Sequence, residues 1–363
     1  MERRFFLALG AGSLLSAQGR VFPSVARRYA DPATELEVLR LTDPAYDSLL
    51  PPAHQRCISR RQGFCVFSSA RAGSTQVYRM DLRALDWRLL TNSAAIDPAS
   101  VALTADERHV VFFDGPVLKL APTAGGQERT IYQVPEGSAR GAGSALTEDG
   151  ARVIFSERAG TKWLLRSVSL PRNRQTGTAV TLQESEAPID NPLPRARGGQ
   201  VLYRSGDQLR LAFPNGKTTG VKTAPGGQFG AAHWAPNGTA IQALVVPDDA
   251  RQLTTLHEIT PENSEDRLIA KTSNFADCRP NADSSVFVGA SRNLSAPYVL
   301  LLLRVTRREL TLCEHKASDA AKVAARFAPD SQSIFFQSDR HGKMAIYRIP
   351  VERFVEETDP DVE

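Results

Sequence analysis

Short runs of alternating apolar and polar residues follow one another along almost the whole chain, and turn-forming groups separate them. One sequence motif recurs: an apolar anchor, small or hydroxyl residues, an Asp, Asn or Gly group, and then a run of β-branched or aromatic residues. This motif predicts a β-hairpin in which the anchor ends one strand, the polar group makes the turn and the β-rich run forms the next strand. No long segment spaces its apolar residues at three and four positions, so we predict an all-β protein.

The spacing of the copies predicts the architecture. Neighbouring copies lie roughly 40 to 50 residues apart, which is the period of a four-stranded propeller blade. A β-sandwich is the alternative, and the regular period argues against it. The copies span residues 58–67, 103–112, 146–155, 234–241 and 327–336, with weaker copies at 194–203 and 281–288.

The two ends of the chain predict how the ring closes. The last copy has only three predicted strands before the chain becomes polar, and residues 36–42 have the pattern of a strand without a blade of its own. A strand from the N-terminal end that completes the last sheet leaves the ring with no open edge. We therefore predict a single seven-bladed β-propeller over residues 36–351, with its last blade closed by an N-terminal strand, and a polar tail at 352–363.

The first residues predict export. Arg3 and Arg4 precede an apolar run over residues 7–17 that is rich in Ala, Gly and Leu. This run is shorter than the roughly 20 residues that a membrane-spanning helix needs, and the paired arginines are typical of a twin-arginine signal. We predict a signal peptide at 1–17, a periplasmic or secreted protein, and no membrane span in the mature chain. The alternative is a buried N-terminal helix.

Composition narrows the choice of partners. Apolar residues make up 42% and charged residues 23% of the 363 residues, which allows a sizeable core. The net charge of +4 is dispersed over single arginines, so we predict no nucleic-acid partner. The four cysteines show no zinc-binding spacing and are predicted to be buried thiols, although export leaves disulfides open. They are Cys57, Cys65, Cys278 and Cys313.

Several motifs resemble those of one family. They lie at residues 40–42 (Arg-Leu-Thr), 132–136 (Tyr-Gln-Val-Pro-Glu), 233–238 (His-Trp-Ala-Pro-Asn-Gly) and 327–347, where Phe-Ala-Pro-Asp is followed by Ser-Asp-Arg-His-Gly-Lys and Ile-Tyr. Together they resemble the oligogalacturonate lyases, seven-bladed propellers that degrade pectate. The resemblance extends over residues 36–351, and its most specific part is the last blade. The Ser-Asp-x-His-Gly motif alone is shared with TolB-like propellers.

The resemblance implies a chemistry that this chain lacks the residues for. The lyases cleave galacturonate chains by β-elimination, with a divalent metal on the substrate carboxylate stabilising the negative charge that develops. Three His and one Gln from the last two blades hold that metal. The resemblance places those ligands on Asp277, Asp319, Lys322 and Ala324, and Lys322 would bring a cation to a cation site. We therefore predict no bound cofactor, with manganese or another divalent metal needed only if the protein is active.

Four residues remain as site candidates. The His that the resemblance implies in the fifth blade falls on Ala231, and His233 lies two residues later, on the same face of an extended strand. We name His233 as the catalytic candidate. His54 is predicted to reach the same channel mouth, and Arg279 and Arg326 carry guanidinium forks suited to carboxylates. An acidic oligosaccharide is the predicted partner.

Three functions follow from these observations. The first is a non-catalytic or altered oligouronide-binding or carbohydrate-binding protein on a lyase scaffold. The second is an active oligogalacturonate lyase with a rearranged site that uses His233 or His54 and a carboxylate-bound metal. The third is a TolB-like periplasmic interaction propeller. For His257 the sequence predicts a place on the third strand of blade five, with no partner.

Overall fold

The computed structural model describes residues 19–171, 175–222 and 226–359. The predicted signal peptide at 1–17 lies outside the described residues. Seven antiparallel sheets of four or five strands follow one another along the chain. A single cavity is lined by residues from all seven sheets, so the first strands of the sheets surround one axis. The prediction of an all-β, seven-bladed propeller is confirmed.

Each blade takes its strands in chain order from the axis outward, and only blades 1 and 7 borrow strands from the N-terminal segment. That segment and blades 1 to 3 contain β1 Val21–Phe22, β2 Arg27–Ala30, β3 Glu37–Arg40, β4 Ser48–Leu49, β5 Phe64–Ser69, β6 Gln76–Asp81, β7 Trp87–Leu89, β8 Ala102–Leu103, β9 His109–Asp114, β10 Val117–Pro122, β11 Arg129–Gln133, β12 Ser138–Leu146, β13 Arg152–Ala159, β14 Lys162–Ser169 and β15 Ala179–Ser185.

Blades 4 to 7 repeat the same plan. They contain β16 Asp190–Pro194, β17 Val201–Ser205, β18 Gln208–Ala212, β19 Thr218–Gly220, β20 Gly227–Trp234, β21 Ile241–Pro247, β22 Thr255–Thr260, β23 Glu265–Lys271, β24 Phe275–Pro280, β25 Val286–Ser291, β26 Tyr298–Leu303, β27 Arg308–Glu314, β28 Arg326–Phe327, β29 Ser333–Ser338 and β30 Ala345–Pro350. Two short 3₁₀ helices occur at Pro98–Ser100 and Ala320–Lys322.

Aromatic pairs link the second and third strands within a blade. Phe67 faces Tyr78 across β5 and β6, and Phe336 faces Tyr347 at the matching place in blade 7. Their ring centroids are 5.6 Å and 5.2 Å apart in stacked geometry. Such pairs contribute about 0.5–1.5 kcal/mol beyond the area that they bury. The four cysteines are buried and unpaired, as predicted.

The ring closes in the last blade. The strand β3 pairs antiparallel with β30, with Leu39 opposite Arg348. This confirms the predicted N-terminal closing strand. The chain ahead of residue 36 adds further strands, because β2 pairs with β3 and β1 pairs with β7 at the outer edge of blade 1. The tail packs on blade 7 through the buried Val355 and a hydrogen bond between the hydroxyls of Thr358 and Ser331.

The inner strand of blade 1 is interrupted. Leu49 pairs with Ser68, and the next pairing on the same two segments joins Ile58 to Cys65. Three positions separate Ser68 from Cys65, whereas nine separate Leu49 from Ile58, so six extra residues leave the sheet. Residues 50–57, here called the axial loop, therefore enter the central channel. No helix among the described residues is long and apolar enough to cross a membrane.

Candidate functional site

The inner strands converge on a cavity of about 400 Å³ at the propeller axis. Every blade contributes residues from its inner strand or the adjoining turn to the cavity wall, and the wall is asymmetric. Blades 1 to 4 contribute mainly apolar groups, whereas blades 5, 6 and 7 contribute His233, Arg279 and Arg326. Turn residues Glu148 and Pro236, which follow the first strands of their blades, also line the cavity. The cavity therefore opens on the face that carries the turns between first and second strands, here called the hairpin face.

His233 is a buried polar group whose hydrogen-bonding capacity is unused. It lies on β20 opposite Gln242 and is 5% exposed. Neither ring nitrogen makes a hydrogen bond of normal geometry among the described residues, although the amide of Gln242 lies close enough to act as a weak partner that raises its pKa. Burial, followed by the charge of Arg279, lowers the pKa of His233 well below its usual value. The ring is therefore neutral at pH 7 and has one unused donor and one unused acceptor.

His54 reaches the same cavity from the axial loop rather than from a strand. Its Nε2 lies 3.2 Å from the carbonyl oxygen of Ser144 in blade 3. Burial lowers the pKa of His54 to about 3, with the charges of Arg279 and Arg326 acting in the same direction and the Ser144 carbonyl opposing them. In the neutral ring Nε2–H donates to that carbonyl, which leaves Nδ1 as an acceptor.

Arg326 holds the axial loop in place. It is 6% exposed, and its guanidinium donates to the carbonyl oxygens of Pro51, Pro52 and Gln55 and to the Sγ of Cys57. The distances to Pro52, Gln55 and Cys57 are 3.2, 3.4 and 3.3 Å. Both terminal nitrogens are engaged with the loop, whereas Nε has no hydrogen-bond partner among the described residues. We therefore assign Arg326 to loop anchoring, while its charge still acts on the cavity.

Arg279 is differently placed. Within the described residues its only ion pair is with Asp277, with Nε 3.5 Å from Oδ1, and that Nε has no hydrogen-bond partner. Asp277 also accepts a hydrogen bond from the backbone N–H of Cys278 at 2.9 Å. The ion pair uses the Nε side of the guanidinium, so its terminal fork is the part that can face a ligand.

The axial loop crosses the channel. The side chain of Gln55 donates to the carbonyl of Ser144 at 2.8 Å and accepts from the backbone N–H of Leu146 at 3.3 Å, both in blade 3. On the other side the loop is bound to Arg326 in blade 7. Its start is held by Gln337, whose side-chain oxygen accepts from the backbone N–H of residue 50 at 2.8 Å. The loop therefore lies across the channel between blades 3 and 7.

The positions that the resemblance assigns to a metal do not suit one. Asp319 is 47% exposed and accepts from the backbone N–H of Ala321, capping the short 3₁₀ helix. Lys322 is 67% exposed, with Nζ 3.9 Å from Asp319 Oδ2, and Ala324 offers no ligand atom. Asp277 is engaged with an arginine. Within the described ranges no three His, Cys, Asp or Glu residues lie close enough together to hold a metal. This set does not fit an imidazole-rich site.

The structure brings the four predicted site residues to one cavity, and their functional roles stay predictions. Sequence reasoning missed the side-chain partners of His257. Its Nε2 lies 2.9 Å from Thr255 Oγ1, and its Nδ1 lies 2.7 Å from Asp266 Oδ1. Positions 255 and 257 share a strand face, and the pairing of β22 with β23 brings Asp266 alongside. The expectation that His257 has no partner was therefore wrong.

No family model matches the chain. Two curated relatives are an oligogalacturonide lyase of Pectobacterium atrosepticum, 22% identical, and an oligogalacturonate lyase of Dickeya dadantii, 21% identical; each match covers 91% of this chain and 97% of the relative. Among solved structures, an oligogalacturonate lyase in complex with manganese superposes with a TM-score of 0.85 at 20% identity, covering 92% of this chain and 98% of that one. The oligogalacturonate lyase of Vibrio parahaemolyticus gives 0.84 at 18% identity, with the same coverage. The predicted resemblance to this family is confirmed over nearly the whole chain.

Proposed function

We propose that this protein is an exported propeller that binds acidic oligosaccharides of the oligouronide class without performing metal-supported elimination. The observation that carries the proposal is the set of groups at the positions implied for the metal. An ion-paired Asp277, a helix-capping Asp319 beside Lys322 and a methyl group at residue 324 stand where the resemblance implies imidazoles and an amide. Elimination next to a carboxylate needs concentrated positive charge at the developing anion, and these groups do not concentrate it.

The ligand class is supported by the chemistry of the axial cavity and by the relatives. A guanidinium fork on Arg279 suits a carboxylate, and a neutral His233 suits a sugar hydroxyl. A cavity of about 400 Å³ with a few polar groups among apolar walls is typical of small-ligand sites. The relatives carry oligogalacturonate in their names, so an oligomer of uronic acids is the first ligand to test.

Two assays on the same preparation test this function. Oligogalacturonate is titrated into the protein by calorimetry, and unsaturated uronide product is followed by ultraviolet absorbance with and without added Mn²⁺. We expect binding without product in either condition. Product that grows only with Mn²⁺ would establish the alternative, an active lyase with a rearranged site, and absence of binding would refute the proposal altogether.

A gain-of-function variant makes the test sharper. Installing the implied ligands should create Mn²⁺ affinity that the natural chain lacks, because imidazoles replace a cation and an ion-paired carboxylate. Calorimetric titration with Mn²⁺ alone measures the gain, and equal Mn²⁺ affinity of both proteins would contradict our interpretation of these positions. The variant carries Asp277→His, Asp319→Gln, Lys322→His and Ala324→His.

Export is part of the same proposal. It is supported by Arg3 and Arg4 ahead of a short apolar run and by relatives that are bacterial proteins. Fractionation of cells that express the full chain should find the processed protein outside the cytoplasm. The double substitution Arg3→Lys and Arg4→Lys should retain it inside. Equal distribution of the two forms would contradict the twin-arginine route.

A further inference from the structure

In blades 5 and 6 the polar groups at the axis lie further along the inner strand than the positions that the resemblance implies for functional histidines. In blades 5 and 6, the positions at which the resemblance implies functional histidines hold Ala231 and Asp277, whereas His233 and Arg279 follow two residues later. Two residues along an extended strand correspond to about 6.6 Å. Because each inner strand runs towards the hairpin face, this displacement brings the polar groups closer to that face.

A buried histidine with two unused nitrogens indicates a ligand. Leaving a buried polar atom without a partner costs about 1–3 kcal/mol, so such groups in native proteins usually have a function. His233 lines the axial cavity and makes no hydrogen bond of normal geometry among the described residues, with the amide of Gln242 as its only weak partner there. The Nε atoms of Arg279 and Arg326 in the same wall have no hydrogen-bond partner among those residues. The axial loop lies across the channel and forms part of the cavity wall, and turn residues of the hairpin face also line the cavity, so a ligand is expected to arrive from the hairpin face.

We infer that the axial cavity is a carboxylate-binding pocket that takes a uronate unit from the hairpin face, with the Arg279 fork on the carboxylate and His233 on a sugar hydroxyl. The inference rests on the proposed function and adds where the ligand binds and through which atoms. His54 contributes its remaining acceptor, Nδ1, to the same hydroxyl-bearing side. Asp319 and Lys322 are not among the residues that line this pocket.

The electrostatics of the pocket favour an anion. Arg279 and Arg326 are the charged groups that act on His54, and Arg279 acts on His233. Both imidazoles are held neutral, so they add hydrogen-bonding groups without adding charge. The cavity wall holds three arginines, at positions 56, 279 and 326, and one glutamate, Glu148. Asp277 balances part of the charge of Arg279, so the wall keeps an excess of positive charge for an incoming carboxylate. Apolar walls lower the local dielectric constant and strengthen that attraction.

The first test uses digalacturonate as the probe and calorimetry on the full chain. Arg279→Gln removes the fork and should weaken binding about tenfold or more, and Arg279→Lys should give a smaller loss because it keeps charge without the fork. His233→Phe keeps a ring and removes both nitrogens, so we expect a loss of about fivefold. The thermal unfolding midpoint of each variant shows whether it is folded.

The second test assigns the face of entry with a matched pair of charge reversals. Glu148 and Glu186 are both exposed and both belong to blade 3, but Glu148 lies in the turn after β12 and Glu186 in the connection after β15. Glu148→Lys and Glu186→Lys change the net charge equally on opposite faces. At low salt, only Glu148→Lys should strengthen digalacturonate binding, by about two- to threefold.

The outcomes separate the inference from the proposed function. If digalacturonate binds the natural protein and neither the Arg279 nor the His233 variants change its affinity, the pocket is wrong and the proposed function stands. If Glu186→Lys strengthens binding and Glu148→Lys does not, entry is from the other face and the inference is overturned. If digalacturonate and longer oligogalacturonates do not bind at all, the proposed function itself fails.

Discussion

Arg279 and Arg326 line the same cavity, but Arg326 anchors the axial loop whereas the fork of Arg279 is assigned to the ligand. We therefore expect substitution of Arg326 to lower the stability of the fold far more than substitution of Arg279 does. Arg326→Met keeps the aliphatic stem and removes the guanidinium that holds the axial loop. Arg279→Met, the matched control, removes a group whose only ion pair within the described residues is a 3.5 Å contact with Asp277.

The magnitude follows from the contacts that are lost. The guanidinium of Arg326 serves three backbone carbonyls and one thiol in a buried position. Hydrogen bonds to a charged group contribute about 1.5–3 kcal/mol each, and the desolvation of the cation offsets part of the total. We therefore expect Arg326→Met to lower the free energy of unfolding by about 3–5 kcal/mol. Arg279→Met should cost about 1 kcal/mol, because one partly exposed ion pair is lost.

Differential scanning calorimetry measures both effects. At about 2 °C per kcal/mol for a domain of this size, the unfolding midpoint should fall by about 6–10 °C for Arg326→Met and by about 2 °C for Arg279→Met. Limited proteolysis should cut the Arg326→Met protein within the axial loop at a temperature where the control is intact. Equal midpoints for the two variants, or a loss below about 1 kcal/mol for Arg326→Met, would refute the assignment of Arg326 to loop anchoring.

Three further predictions concern pH, packing and closure. Because the pKa values of His54 and His233 are lowered, these rings bind protons below about pH 6.5 in the unfolded chain but not in the folded protein, so each should cost up to about 1.4 kcal/mol of stability per pH unit as the pH falls. The free energy of unfolding, measured with urea from pH 7 to 4, should therefore depend less steeply on pH when both are replaced by Asn. Gly289→Ala places a methyl group into an aromatic ring of β24 and should cost about 1–3 kcal/mol, whereas Gly63→Ala meets no atom closer than 3.9 Å and should change the unfolding midpoint little. Deleting Glu37–Arg40 opens the edge of the last blade, so concentration-dependent aggregation should appear in light scattering, and a monomeric, fully folded product would contradict the role of this strand in closure.

The repeat in the amino-acid sequence was sufficient to predict seven hairpins, an all-β class and a closing strand from the N-terminal end. These features follow from local rules, because alternation, turn chemistry and β-propensity act over a few neighbouring residues. The same regularity identified His233 and Arg326 as residues near the axis, since each directly precedes the anchor of its hairpin, and Arg279, which lies two residues before the weaker copy at 281–288.

Long-range contacts settle what those residues do, and no local pattern encodes them. His54 enters the cavity because six extra residues leave the inner strand of blade 1, and the loop that they form is held by groups about 90 and 270 positions away in the chain. Arg326 and Arg279 are alike in sequence, but ring closure places the carbonyls of the axial loop beside Arg326. Asp277 lies beside Arg279 for a local reason, because the two residues are two positions apart on one face of β24. The geometry of a propeller axis depends on seven blades meeting at once, so the partners of a central side chain come into being only when the whole ring has formed.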